Sequence, residues 1–175
     1  MAEPPPDEVD QLVAAWRRER PDLDVAPMEV LSRVSRLARH LDRERGVAFA
    51  AHGLESWEFD VLAALRRAGA PYQLTPGQLV RETMVTSGTM TNRVDRLVAR
   101  GLVGRAERPE DRRGVMVSLT ATGRERVDAA LADLLDAERA ILAALSEHEC
   151  RTLAGALRLL LQRYESPVTA AAGPR

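Results

Sequence analysis

Apolar positions recur at steps of three and four along most of this chain, the spacing that lines one face of a helix. Val9, Leu12, Val13 and Trp16 define the first such segment, over 7–20, and Pro21 ends it. A second helix is expected after Pro27. Met28, Leu31, Val34, Leu37, Ala38 and Leu41 form its apolar stripe, with Arg and Glu on the other face. Gly53 interrupts that pattern. Ser56 is expected to cap a third helix running to about Ala68, closed by Gly69, Ala70 and Pro71.

The texture then changes. Thr75 and Pro76 read as the cap and first position of a short helix within Leu74–Val80. Thr83–Gly88 reads as a turn, and another helix is expected from about Thr86 to Arg100, stopped by Gly101. Leu102–Ala106 and Val115–Leu119 are strand candidates, separated by the charged turn Glu107–Gly114. The order is helix, turn, helix, β-hairpin. A long helix is expected from Thr120, with Val127, Leu131, Leu134, Glu138, Ile141 and Leu145 on a seam suited to helix packing. Ser146 and Glu149 form a capping box that restarts a last helix carrying Leu153, Leu157, Leu160 and Tyr164. Residues 1–6 read as a disordered Pro-rich lead and 166–175 as a flexible tail of small residues. The pattern predicts one domain over 7–165, mainly α with a small β-hairpin wing, and 56–119 as a winged helix-turn-helix.

Composition narrows the chemistry. With 45% hydrophobic but only 3% aromatic residues, the core of this 175-residue chain must be aliphatic. No apolar run approaches the about 18 residues of a membrane span. The acidic, Pro-rich N-terminus is the opposite of a signal peptide, so a soluble cytoplasmic protein is expected. Cys150 is the single cysteine, and His40, His52 and His148 are dispersed, so no metal site and no cofactor is expected. No nucleophile elbow or Gly-rich phosphate loop is present, which argues against an enzyme.

Charge points to nucleic acid. The chain is nearly neutral, at −1, and all 25 of its basic residues are Arg. From Thr86 to Arg126, nine Arg stand against five acids, a local balance of +4. On a helical wheel Met90, Val94, Leu97 and Val98 fall together and should pack inward. Thr89, Asn92 and Arg96 fall opposite, where a major groove can be read, and Ser87 and Thr91 lie on the flanks, within reach of phosphate. Arg93 sits at the boundary between the two faces. The hairpin beyond can lay an arginine in the minor groove.

The run Thr86-Ser87-Gly88-Thr89-Met90-Thr91-Asn92-Arg93-Val94-Asp95-Arg96-Leu97, then Gly101-Leu102-Val103, Asp111-Arg112-Arg113, Leu119-Thr120 and Gly123, resembles the MarR family of bacterial transcription regulators. The resemblance covers about 28–165. It implies a homodimer on a pseudopalindromic operator in double-stranded DNA, with 7–55 and 120–165 as dimerisation and pocket helices. It implies that Arg113, beside Arg112, enters the minor groove while Asp111 holds its side chain.

The extra N-terminal helix, Gln11–Pro21, resembles the leading helix of the family's urate-responsive, PecS-like branch. That resemblance implies a ligand site at Trp16, Asp60, Arg67 and Arg93. The residues make a separate case. Asp60 and Arg67 are seven apart and stand in line on one helical face, about 10 Å apart. Ala63 and Ala64 between them leave room for a flat polar molecule. An indole can stack on such a ring, and Arg67 can fix an anion. Arg93 would join this pocket to the groove-reading helix. Urate is the first candidate, and tricarboxylates such as trans-aconitate or citrate would use the same arginines. A regulator without a ligand or gated by Cys150 oxidation, and a helical module docking on protein, are the rival readings.

Overall fold

The computed structural model describes the backbone of residues 5–108 and 111–165; side chains at 107, 108, 111–114 and 165 lie outside the described set. α1 (Glu8–Glu19) begins at Asp7, whose carboxylate accepts from the N–H groups of Val9 at 2.7 Å and Asp10 at 3.1 Å. The Asp10 carboxylate accepts from Asp7 N–H in return, at 2.7 Å. Val9 and Val13 then bury against Val25 and Met28 at the start of α2 (Ala26–Ala51). α2 starts just ahead of its expected position, with Pro27 in the first turn, where no N–H is needed.

Arg33 of α2 clasps the cap of α1, donating to Asp7 at 2.8 Å and to Asp10 at 2.7 Å. That contact holds the Asp7 carboxyl well below its ordinary value, at about 2. A depressed carboxyl contributes its stability above its unfolded pKa and loses it as pH falls through the folded one. The α1–α2 docking is therefore expected to be constant above about pH 4 and to loosen between about pH 4 and 2. Trp16 fluorescence in a Trp57→Phe background should report this, and Arg33→Gln should flatten the transition.

α3 (Ser56–Arg67) is the centre of the core, with Val61, Leu62 and Leu65 fully buried. Ser56 is not its cap. Glu55 takes that place, and its N–H donates to the Glu58 carboxylate at 2.9 Å. Around α3 pack Leu79 of α4 (Pro76–Thr83), Met90, Val94 and Leu97 of α5 (Ser87–Ala99), and Val127, Ala130 and Leu134 of α6 (Ala121–Leu142). Phe49 and Phe59 stack at 4.0 Å between ring centres. Thr75 caps α4 and Thr86 caps α5, each accepting a backbone N–H from three residues on. Val98, expected to pack inward, is 38% exposed; it lies on the flank of α5 in its last turn.

The wing is larger than expected. β2 (Val103–Arg108) and β3 (Asp111–Leu119) pair antiparallel, with Val103 opposite Leu119 and Arg105 opposite Val117, so residues expected in the turn are strand. A third strand, β1 (Gln73–Leu74), adds to the other edge of β3. Thr120 ties the end of β3 to the start of α6: its N–H donates to Leu102 O at 3.2 Å and its hydroxyl accepts from Gly123 N–H at 3.0 Å.

The chain divides into two compact units, Met1–Leu134 and Leu135–Arg175. The second holds the end of α6 and α7 (Glu147–Glu165). Ser146 caps α7, its hydroxyl and N–H both donating to the Glu149 carboxylate, at 2.6 and 2.8 Å. α7 leaves Leu153, Leu160 and Tyr164 exposed. Residues 1–4 and 166–175, expected to be a disordered lead and a flexible tail, lie outside the described residues. Among the described residues no helix is long and apolar enough to cross a membrane.

Candidate nucleic-acid interface and anion cleft

α5 buries one face in the core and turns the other outward. Ser87, Thr89, Thr91, Asn92 and Arg96 are all exposed. The Thr86 and Thr89 hydroxyls bond at 2.9 Å, and the Thr91 hydroxyl donates to Ser87 O at 3.1 Å. Thr86, the cap, stands three residues before Thr89, and the buried Met90, Val94 and Leu97 turn the opposite side of the helix outward. Asp95 of α5 pairs with Arg105 of β2 at 2.7 Å, tying the helix to the base of the wing. The side chains of Asp111, Arg112 and Arg113 lie outside the described residues.

Three arginines join α5 to the N-terminal end of α3. Arg96 reaches Glu55 at 2.8 Å and lies over the Trp57 ring, 4.7 Å from its centre. Arg93 lies on the same ring at 5.4 Å. Arg100 donates to the fully buried Glu58 carboxylate and to Gly53 O, the latter at 2.6 Å. The other Glu58 oxygen has no partner among the described residues. Glu58 is thus a buried charge that depends on Arg100.

A cleft of about 400 Å³ opens between α2 and α3, lined by Asp42, Arg45 and Phe49 on one side and Ser56, Phe59 and Asp60 on the other. Partial burial pushes the Asp60 carboxyl above its ordinary value, against the pull of Arg93, Arg45 and Arg67. Asp60 thus feels Arg93 and Arg67, the two arginines expected beside it, and Arg45 as well. Arg67 lies outside the cleft lining, reaching Glu82 at 3.5 Å. Trp16, on α1, is 45% exposed and is not among the lining residues either. Ala63 and Ala64 are buried in the core, so they do not make the room; the gap beside Ser56 does.

Arg45, Trp57 and Arg100 were not singled out by the sequence. Arg45 belongs to a charge-rich stretch of α2 with no distinguishing pattern. Trp57 stands three residues before Asp60, one turn away on α3, and that spacing was the available signal. Among the described residues no cluster of His, Cys, Asp or Glu suits a metal ion.

Residues 52–114 match the model of the MarR family. The chain is 41% identical to the HTH-type transcriptional regulator PecS of Dickeya dadantii (strain 3937) over 158 residues, 90% of this chain and 93% of that one. A mutant MarR from E. coli, solved in complex with operator DNA, superposes with a TM-score of 0.65 at 27% identity, covering 79% of this chain and 99% of that one. AbsC, a MarR family transcriptional regulator from Streptomyces coelicolor, shares the fold with a TM-score of 0.71 at 18% identity, over 83% of this chain and 99% of that one.

Proposed function

This chain belongs to the MarR family of DNA-binding transcriptional regulators and is not an enzyme, and we propose that it represses transcription as a homodimer released from its operator by a small anion, urate before others. The observation that carries the ligand reading is the position of Arg93. It stands on the groove-facing helix, lies over Trp57, and acts on Asp60 in the anion cleft. An anion entering beside Arg45 competes with Asp60 for the guanidinium charge. Arg93 then shifts, and α5 shifts with it. DNA affinity falls because the ligand interacts differently with the two positions of α5.

Dimerisation is supported by the apolar side chains that α2 and α7 each expose, Leu31, Val34 and Leu37 on the first and Leu153 and Leu160 on the second. A two-fold dimer matches half-sites about one helical turn apart. Arg113, supported by Asp111 and flanked by Arg112, is the proposed minor-groove contact. The proposal places the protein in the cytoplasm with its DNA.

The test uses the duplex upstream of the protein's own gene. Arg113→Ala should weaken binding by about 1–3 kcal/mol, roughly 5- to 150-fold, with the dimer intact. Unchanged affinity would remove the wing from the interface. Arg45→Ala should blunt release by urate while leaving DNA binding in place, and Arg67→Ala, outside the cleft lining, should do so less. If trans-aconitate or citrate releases the wild type and urate does not, the arginines stay and the ligand changes.

A further inference from the structure

We propose that Glu55 competes with DNA for Arg96 and so sets the operator affinity of the free regulator. The proposal rests on the DNA-binding reading above. Arg96 is on the outward face of α5 with Thr89 and Asn92, yet its guanidinium is held by Glu55 at 2.8 Å. The carboxylate is itself fixed, since Trp57 Nε1 donates to its second oxygen at 2.7 Å. The Trp57 ring meanwhile supports Arg96 from below, 4.7 Å from ring centre to guanidinium carbon.

Two arginine clasps join α3 to α5, and they differ in a way that assigns their roles. The Glu58 carboxylate at the Arg100 clasp has 0% exposure. It is a fixed anchor. At the Arg96 clasp the side chains are 53% and 56% exposed. An ion pair so open to water is weak and exchangeable. DNA phosphates can take the guanidinium from Glu55 without disturbing the core. Until they do, one groove-facing charge is neutralised, and a carboxylate stands beside the approaching phosphates. Both effects lower affinity, so removing the Glu55 charge should raise it.

The experiment measures operator binding across a salt series for wild type, Glu55→Gln and Glu55→Thr. Glutamine keeps the length of the side chain and an acceptor for Trp57. Threonine is a better helix cap than glutamate, so a gain seen with both variants does not arise from damage to α3. We expect about two- to fivefold tighter binding. The log–log salt dependence should steepen by up to about 0.9, because no Glu55 carboxylate then takes up a cation when Arg96 turns to phosphate. In an Arg96→Ala background the same substitutions should give a clearly smaller gain. Affinity that is unchanged or lowered in both Glu55 variants would overturn the proposal and leave the DNA-binding reading intact. Wild-type protein that binds no duplex in a salt-dependent way would overturn both.

Discussion

Replacing Arg100 by methionine is expected to destabilise the unit ending at Leu134 by about 3 kcal/mol, read from denaturant unfolding. The Glu58 carboxylate is fully buried, and one of its oxygens already lacks a partner among the described residues. Methionine would fill much of the volume of Arg100 but leave that charge with the single N–H of Glu55, 2.9 Å away. Stranding one partner of a buried pair costs about 3–5 kcal/mol. Arg100 is 35% exposed, so water can enter the gap and the lower end applies. The double variant Arg100→Met with Glu58→Gln should recover much of the loss, because no charge is then stranded. If the single variant is as stable as wild type, the clasp is not what fixes the end of α5.

Alanine at Gly123 is expected to destabilise by about 2–3 kcal/mol, although alanine is the better helix former. A Cβ at this position would stand 2.1 Å from Leu102 O and 3.0 Å from Leu119 Cδ1. Leu102 O cannot retreat, since it accepts from Thr120 N–H at 3.2 Å and from the Thr120 hydroxyl at 3.0 Å. The first turn of α6 would have to lift from the sheet. Gly155 of α7 provides the control. Nothing lies within 4 Å of its Cβ position, so alanine there should stabilise by about 1 kcal/mol. Thermal unfolding of the two variants should shift in opposite directions; a stable Gly123→Ala would contradict the close approach of α6 to β2.

Local chemistry explains which parts of this fold were legible. The caps at Thr75 and Ser146 act within four residues and were readable from the sequence, whereas Thr86 was read only as the approximate start of α5. The outward face of α5 follows from its inward one, because Met90, Val94 and Leu97 fix the rotation of the helix. β1 was hidden, since two residues carry no periodicity and its pairing with β3 lies more than forty positions away in sequence. Glu55 is a poor capping type, so the more ordinary Ser56 drew the assignment. The clasps of Arg96 on Glu55 and Arg100 on Glu58 join residues 41 and 42 apart. No spacing rule reaches that far; only the packing of α3 on α5 brings them together. Helical spacing put Arg67 in line with Asp60, and only the family resemblance added Arg93; Arg45 entered only with the packing of α2 beside α3.

Fluorescence anisotropy of the labelled upstream duplex, titrated with wild-type protein at fixed salt with and without urate, tests the central claim most directly. Saturable binding that urate weakens in a dose-dependent way is expected, with Arg45→Ala shifting the response to higher urate. Tight binding that neither urate nor a tricarboxylate disturbs would contradict the anion cleft as the seat of regulation.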